Sequence, residues 1–384
     1  MTPLRLLALT PFPPNRQATN GGARVMGELL TRLAERHAVA VVTLRGPEEP
    51  RLDGELARLA DDVEEIGRPA LPEGWRRRAL LARALARGVP RWPAEWRVPE
   101  YAVRLERLAA AWRPDVVQVH YHVMGQYLTA LARSAAPRVL VEYDAGPTGR
   151  LDARAWRRYE RRLLRSVDAA VAFTDRDANL LRSLGGRARV EVIPFGVPLS
   201  PEPLDPVGTD RSVLFVGNFE HHPNVDAALR LARAIHPRLG DARLLLVGSR
   251  PPGEVLALAN ARVEVFGSVD DVAPFLDRAS VVALPLREGG GMRVKALEAL
   301  AAGKAVVATR LAIEGIDVAD GRHLVLAESD DDFAAAVSGL LDSPDRRRAL
   351  GGAARRWAEA RASWDERVEA HEALCRSLLE GSGR

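Results

Sequence analysis

Three consecutive glycines between an apolar run and a helix-forming run are the feature that most limits how this chain can fold. The apolar run 280–286 has the length and composition of a buried strand, and the run 293–302 has those of a helix. Gly289, Gly290 and Gly291 lie at the turn between them, where glycine lets the backbone turn sharply and approach a ligand closely. The sequence therefore predicts a strand–turn–helix unit of an α/β domain.

The same turn has the chemistry of a phosphate site. The N–H groups at the start of a helix carry partial positive charge, and glycine loops expose further N–H groups. Arg293 and Lys295 add two cations, and Glu298, one turn further on, could accept a hydrogen bond from a sugar hydroxyl. A diphosphate joined to a ribose would satisfy all of these groups. The candidate donor-binding residues here are Gly289, Gly290, Gly291, Met292, Arg293, Lys295 and Glu298. The alternative is a plain loop with Glu298 in a surface ion pair.

Strand-like and helix-like segments alternate along all 384 residues, which predicts a doubly wound α/β protein. This length exceeds what one core usually serves, so two domains are expected. The proline-rich stretch 194–208 is the predicted linker. We expect an N-terminal Rossmann-like domain over 1–198, completed by a C-terminal helix at about 364–384, and a second over 199–363. Strands are predicted at 4–9, 39–44, 115–120, 138–143, 169–173, 190–193, 212–216, 242–247, 263–266, 281–285 and 305–309, and helices at 22–36 and 125–133.

Composition narrows the class of protein further. The single cysteine, Cys375, excludes an internal disulfide and any cysteine-based metal site, which favours a reducing compartment. The N-terminal apolar run is too short for a signal peptide and no run is long enough to span a membrane, so a cytoplasmic location is expected.

Charge is divided unevenly along the chain. Residues 1–199 hold 32 arginines against 23 acidic residues, a formal charge of +9, which leaves −5 for the rest of a chain whose total is +4. Two segments, 76–87 and 150–165, are arginine-rich and helix-forming. An anionic membrane surface is one partner for such segments, and a solvated arginine-rich surface is the alternative.

The glycine motif resembles that of family-4-like glycosyltransferases with the GT-B fold. Many members carry two glutamates with seven residues between them, the second followed by Ala-x-x-x-Gly. Here Glu298 is followed by Ala299 and Gly303, while Gly290 occupies the position of the first glutamate, as in a subgroup with a glycine triplet, Arg, Lys and Leu-Glu-Ala. The resemblance implies two Rossmann-like domains facing a central cleft, with the nucleotide-sugar donor held by the second domain.

Further donor-side residues follow from this resemblance. Where many relatives have an Arg and then a Lys facing the diphosphate, this chain has Asn218 and Pro223, so Arg293 and Lys295 are expected to supply the missing charge. The segment Phe266, Gly267 and Ser268 corresponds to one that holds the base, with an ordinary capped turn as the alternative. In the first half, Gly21 and Gly22 lie where GT-B proteins bring a backbone loop to the donor phosphate or the acceptor. Glu314 matches a position near the sugar.

Acceptor-side chemistry is expected at the ends of two strands of the first half. His120 ends one strand, and Glu142 and Asp144 follow the next; open α/β sheets bind ligands at such strand ends. These three are the candidate catalytic residues, able to accept the proton of the acceptor or to stabilise positive charge on the sugar. Loop hydrogen bonding by the same side chains is the alternative.

The resemblance thus implies a glycosyltransferase that moves a sugar from a nucleotide-diphosphate sugar to a hydroxyl acceptor, retaining and metal-independent, in glycan, exopolysaccharide or glycolipid biosynthesis. No cofactor is expected beyond the donor itself, and the acceptor would be a glycan, a lipid-linked sugar or a small molecule. A GT-B nucleotide-sugar epimerase and a non-catalytic sugar-nucleotide-binding scaffold are the competing hypotheses. A nucleic-acid partner is not expected, because the arginines are not interleaved with an aromatic stacking platform.

Overall fold

The chain forms two compact units, residues 1–195 with 365–384, and residues 196–364. The computed structural model describes residues 2–18, 20–143, 145, 152–200, 202–205, 210–269, 271–289 and 293–382. Each unit is a parallel sheet flanked by helices, so the predicted α/β class with two doubly wound sheets is confirmed.

The first unit is built on a seven-stranded parallel sheet in the order β3-β2-β1-β4-β5-β6-β7. Its strands are β1 Arg5–Thr10, β2 Ala38–Arg45, β3 Asp62–Gly67, β4 Val116–His120, β5 Arg138–Glu142, β6 Ala169–Ala172 and β7 Arg189–Val192. Its α-helices are α1 Gly21–Ala34, α2 Gly54–Leu59, α3 Gly74–Ala86, α4 Arg91–Glu95, α5 Pro99–Trp112, α6 Ala153–Ser166 and α7 Asp175–Leu184. The central strands are buried on both faces, which is why they appear in the sequence as nearly continuous apolar runs.

The second unit has a six-stranded parallel sheet in the order β10-β9-β8-β11-β12-β13. Its strands are β8 Ser212–Val216, β9 Arg243–Val247, β10 Val263–Phe266, β11 Val281–Leu284, β12 Val306–Ala308 and β13 Val325–Leu326. Its α-helices are α8 His222–Arg230, α9 Gly253–Leu256, α10 Ala273–Arg278, α11 Val294–Ala301, α12 Asp330–Leu341 and α13 Pro344–Arg361. A π-helical turn, Leu231–Ile235, and two 3₁₀ segments, His236–Arg238 and Leu311–Ile313, complete it. Its core includes Phe215, Leu246 and Phe333.

The last helix, α14 Trp364–Ser382, packs with the first unit over most of its length. The Arg376 guanidinium donates a hydrogen bond to the carbonyl oxygen of Thr2 (2.9 Å), and His37 lies 3.2 Å from Glu372. The Gln118 side-chain amide faces the buried Cys375 thiol.

The structure differs from the predicted elements in three places. The segment predicted as a helix over 125–133 is a 3₁₀ helix that begins earlier, at His122, and ends at Leu131. Strand β3 was not predicted, because it is an edge strand whose Asp62, Glu64 and Glu65 interrupt any apolar pattern. The two-residue strand β13 is too short to leave a pattern.

From residue 196 onward, the described part of the predicted linker belongs to the second unit. The Val197 amide donates to the Ala362 carbonyl (3.0 Å), and the Leu204 amide donates to the Ala302 carbonyl (3.1 Å). The buried Lys304 ammonium donates to the carbonyl oxygens of Asp205 and Asp277. Much of the proline-rich stretch is therefore structured.

Within the described residues, no helix combines the length and the apolar character needed to cross a membrane.

Gly248, directly after β9, allows two strand ends to approach each other. A Cβ built at Gly248 would lie 1.7 Å from the Gly217 carbonyl oxygen. Because the obstacle is backbone, it cannot rotate away, and we expect Gly248→Ala to lower the free energy of unfolding by about 1–3 kcal/mol through overpacking. Chemical denaturation of the purified protein measures this loss.

The matched control for this prediction is Gly253→Ala in α9, where an added Cβ would meet no atom within 4 Å. This control should be neutral or slightly stabilising, because alanine restricts the unfolded chain. Equal denaturation midpoints for the two variants would show that the Gly217–Gly248 approach does not constrain the fold.

Candidate functional site

The sheet order of the second unit defines one crevice. The chain starts at β8, builds outward through β9 and β10, then returns to the other side of β8 as β11. In open parallel sheets, ligands bind at such a reversal, outside the carboxyl ends of the two strands. The loops after β8 and β11 meet there: Gly289 has a φ of 111°, and a Cβ built on it would lie 3.1 Å from Cγ of Pro223.

Lys295 points into this crevice from the first turn of α11. Its ammonium donates a hydrogen bond to Oδ1 of Asn224 and lies 5.0 Å from the centre of the Phe215 ring. Burial, together with the nearby charge of Arg293, lowers the pKa of Lys295 to about 7, and Glu298 partly opposes this shift. A lysine with this pKa gains charge readily when an anion approaches.

Arg293 occupies the N-cap position of α11 and is 6% exposed. Its guanidinium donates to the Gly289 carbonyl (3.3 Å) and to the Glu314 carboxylate (3.1 Å). The structure therefore joins Glu314, which the sequence had nominated separately, to Gly289 and Arg293 of the glycine motif.

A small pocket lies beside this cluster. Its polar lining is Lys295 and Glu298, and its apolar lining is Val216, Val272, Leu276, Val282, Leu284 and Ala299. Its cavity volume of about 10 Å³ has room for roughly one water molecule, so it brings Lys295 and Glu298 to one gap without being a ligand-sized pocket. Lys295 and Glu298 thus share a pocket, as their spacing on one helix predicted.

The remaining donor-side candidates occupy the neighbouring loops. Asn218 accepts a hydrogen bond from the Glu220 amide through its side chain (3.0 Å). Phe266 ends the edge strand β10 and packs against Phe275, with ring centres 4.8 Å apart. Gly267 and Ser268 are exposed, and a Cβ on Gly267 would meet no atom within 4 Å. Gly290, Gly291 and Met292 lie outside the described residues.

The first unit has an equivalent reversal between β1 and β4. Gly21 and Gly22 begin α1 there, and the Gly22 amide donates to the N-cap side chain of Asn20 (2.8 Å). A Cβ on Gly22 would lie 1.9 Å from the Tyr121 hydroxyl oxygen. Glycine is therefore required at position 22 by the loop that follows β4.

Glu142 and His122 form a buried pair near that edge. The Glu142 carboxylate accepts hydrogen bonds from the His122 amide (3.1 Å) and the Tyr143 amide (3.0 Å), and lies 2.9 Å from Nδ1 of His122. Both side chains are at most 1% exposed. Trp156 packs edge-on against the imidazole at 4.4 Å. In this geometry Glu142 orients His122, which was not among the candidate catalytic residues.

His120 is enclosed in the protein. Its Nδ1 lies 2.8 Å from the Tyr143 hydroxyl, and its Nε2 makes no hydrogen bond within the described residues. Burial and the neighbouring His371 of α14 lower the pKa of His120 to about 3, so this imidazole is neutral at physiological pH. Asp144, the third candidate, lies outside the described residues. No group of three or more metal-ligating side chains occurs in the described part of the chain.

The backbone is strained between His120 and His122. Tyr121, between the two histidines, has a φ of 66°, which is unusual for a bulky residue. Its ring stacks on Tyr143 with centres 4.3 Å apart. The turn at Tyr121 sends His120 and His122 to different environments, and the sequence alone gave no sign of it.

Two glycosyltransferase family models match the chain. The family model described as "Glycosyltransferase Family 4" matches residues 19–201, and "Glycosyl transferases group 1" matches residues 210–343. D-inositol 3-phosphate glycosyltransferase 2 of Catenulispora acidiphila is 31% identical over 277 residues, covering 60% of this chain and 64% of the relative. The phosphatidyl-myo-inositol mannosyltransferase of Mycolicibacterium smegmatis is 32% identical over 146 residues, covering 36% of this chain and 38% of the relative. This chain thus spans less than two thirds of the length of these relatives.

Solved structures show the same fold. Sucrose-phosphate synthase from Thermosynechococcus elongatus superposes with a TM-score of 0.73 at 17% identity, covering 98% of this chain and all of the other. Anabaena HepE in complex with UDP and glucose gives a TM-score of 0.69 at 15% identity, covering 97% of this chain and all of the other. The resemblance inferred from the glycine motif and the GT-B fold class are confirmed.

The buried pair yields a stability prediction for Glu142→Gln. Glutamine offers one acceptor oxygen, and its NH₂ group would face a backbone N–H or the imidazole. A buried donor left without an acceptor costs about 1–3 kcal/mol, so the variant should unfold at lower denaturant concentration.

The control is Glu100→Gln, whose carboxylate is 60% exposed and pairs with Arg104 on the surface of α5. Its effect should stay within about 0.5 kcal/mol. If Glu142→Gln were as stable as this control, Glu142 would not be needed to hold His122.

Proposed function

The chain belongs to the group 1 and family 4 glycosyltransferases, and we therefore propose that it transfers a sugar from a nucleotide-diphosphate sugar to a hydroxyl acceptor. The observation that carries the proposal is the pair of cations, Arg293 and Lys295, at the start of α11 in the crevice between β8 and β11. Glu298, which lines the same small gap as Lys295, places a hydrogen-bond acceptor beside these cations. HepE, which has the same fold, was solved in complex with UDP and glucose, and this supports a nucleotide-sugar donor here.

On the donor side, the proposed roles follow from charge. Departure of a nucleoside diphosphate leaves negative charge on its phosphate oxygens, and fixed cations and helix N–H groups stabilise that charge without reorganising. Arg293 and Lys295 take this role, which supports a metal-independent reaction. Glu298 accepts a hydrogen bond from a hydroxyl of the donor ribose or sugar. The proposed retention of anomeric configuration rests on the family resemblance.

On the acceptor side, the predicted residues Glu142, Asp144 and His120 stay proposals. The geometry gives Glu142 an indirect role. Its carboxylate is bound by His122 and by the Tyr143 amide, so it acts as a positioning group for His122. The acceptor is proposed to be a glycan, a lipid-linked sugar or a small molecule, in glycan, exopolysaccharide or glycolipid biosynthesis.

A screen of nucleotide sugars by thermal unfolding tests this function. The matching donor at 100 times its Kd should stabilise the folded protein by about 2.7 kcal/mol, because it binds only the native state. Glu298→Gln should lose about 1.5–3 kcal/mol of donor binding, the range for a hydrogen bond to a charged group. Glu254→Gln, an exposed glutamate on α9, is the control and should bind normally.

Product analysis then separates the competing functions. Release of nucleoside diphosphate that depends on an acceptor supports transfer, whereas conversion of the donor alone would identify an epimerase. Donor binding without turnover under any acceptor would identify a scaffold. Stabilisation by no nucleotide sugar at all would contradict the proposed function.

We also propose that the protein associates peripherally with anionic membranes through α3 and α6. On α3, Trp75 is 74% exposed and Leu85 is 55% exposed, and arginines lie between them. The exposed arginines of the two helices are Arg76, Arg78, Arg83, Arg154, Arg157, Arg158, Arg161, Arg162 and Arg165, and the exposed Arg87 follows α3 directly. An exposed tryptophan among cations is the pattern of an interfacial helix.

Co-sedimentation with phosphatidylserine-containing vesicles tests this association. Arg76→Gln/Arg78→Gln should weaken binding by about 1 kcal/mol for each charge removed, and wild-type binding should fall as salt rises because screening acts over about 8 Å. The control removes the same charge from exposed positions of α13, as Arg346→Gln/Arg356→Gln. Equal binding by both double variants, or no binding at low salt, would contradict the proposal.

A further inference from the structure

Asn224 links two loops of the donor crevice. It lies in the first turn of α8 and is 9% exposed. Its side-chain NH₂ donates to the Asn218 carbonyl oxygen (2.6 Å), and its Oδ1 accepts from the Lys295 ammonium. The N-cap position of α8 belongs to His221, so Asn224 does not cap the helix, and both ends of its amide make other contacts.

The amide is fixed on the side away from Lys295. Its Cγ would lie 2.9 Å from a Cβ built on Gly217, so a larger residue at position 217 would displace it. The loop after β8 therefore determines where Oδ1 points. Lysine has a long flexible side chain, and a fixed acceptor restricts where its ammonium can lie.

The surroundings of Lys295 leave its charge largely uncompensated. Asn224 is neutral, Phe215 presents a ring face, and the pocket walls contributed by β8, α10 and β11 are aliphatic. The charges that bear on the ammonium are Arg293, which repels it, and Glu298, which attracts it. An aspartate at position 224 would have paired with the ammonium, whereas an asparagine positions it and leaves the charge available to an anion.

We infer that Asn224 is a positioning residue that holds the Lys295 ammonium in the crevice as the cation for the donor diphosphate. This inference rests on the proposed function, whose donor carries that diphosphate. Asn224 thus determines where the ammonium lies, and Lys295 supplies the positive charge.

Direct observation of the ammonium is practical because the chain has only two lysines, Lys295 and Lys304. In protein labelled with ¹³Cε-lysine, Lys295→Met assigns the two NMR signals. The Lys295 signal should titrate near pH 7 in the free protein, and inorganic pyrophosphate should move that titration to higher pH. Lys304, which bonds to the carbonyl oxygens of Asp205 and Asp277, is the internal control and should not respond to pyrophosphate.

Variants at position 224 separate positioning from folding. Asn224→Leu should weaken pyrophosphate binding at least tenfold at pH 7, and Asn224→Asp should weaken it while moving the Lys295 titration upward, since a carboxylate stabilises the ammonium. Wild-type affinity should fall as the pH rises above 7, and in Asn224→Asp this fall should begin at a higher pH. Asn260→Leu removes an asparagine that only supports a loop, and should leave pyrophosphate binding and its pH profile unchanged.

The inference is overturned if both Asn224 variants fold and bind pyrophosphate with wild-type affinity and pH profile. It is also overturned, independently of the Asn224 variants, if pyrophosphate binds and the Lys295 signal does not respond. Sugar transfer in that second case would leave the proposed function standing. Conversely, pyrophosphate binding through Lys295 with no response to any nucleotide sugar would refute the function while supporting the site.

Discussion

Parallel pairing within each sheet is the constraint on which the rest of the structure depends. Every strand pair is parallel, so each connection must cross over a face and all the carboxyl ends of the strands meet at one edge of their sheet. Ligand groups can then collect at the reversal of strand order without interrupting the ladder. In the second unit this edge brings Gly289 beside Pro223 and Lys295 beside Asn224, although 66 and 71 residues separate them along the chain.

At the reversals of strand order in the two sheets, the buried charged groups have opposite surroundings. In the first unit, the Glu142 carboxylate is saturated by His122 and Tyr143, so the pair fixes one geometry. In the second, Lys295 is held by a neutral amide, and burial lowers its pKa to about 7 from the ordinary lysine value. Because the folded pKa is the lower one, Lys295 destabilises the ligand-free fold most below pH 7, and this effect disappears above the unfolded pKa of about 10.4. Such a site lowers the stability of the ligand-free protein and keeps a cation available for binding.

Local pattern was enough to predict the buried strands and the glycine turn, because each is encoded by adjacent residues. β1 and β11 are continuous apolar runs, and both were located within a residue or two. The sequence could not show β3, whose acidic residues belong to an exposed edge, nor the 3₁₀ geometry that begins at His122. His122 and Asn224 were missed as site residues for another reason: their partners, Glu142 and Lys295, are distant in sequence, and no periodicity records such contacts. Arg293, Lys295 and Glu298 were found because one helix carries all three.

The start of α11 carries a local conflict that an anion would resolve. The N-terminus of a helix has partial positive charge, which favours acidic side chains and oxygen caps there. This helix has no acidic residue in its first turn and, within the residues that the structure describes, no side-chain cap bond, and Arg293 and Lys295 lie at that end. The helix N-terminus, Arg293 and Lys295 therefore place positive charge in one region. Two carboxylates oppose it: Glu314 is bonded to Arg293, and Glu298 lies near Lys295. Sequences usually agree with their local structure, and disagreements concentrate where function requires them. A diphosphate, with its multiple negative charges, would supply what the helix start lacks, so the feature least favourable to folding is the one on which the proposed donor site rests.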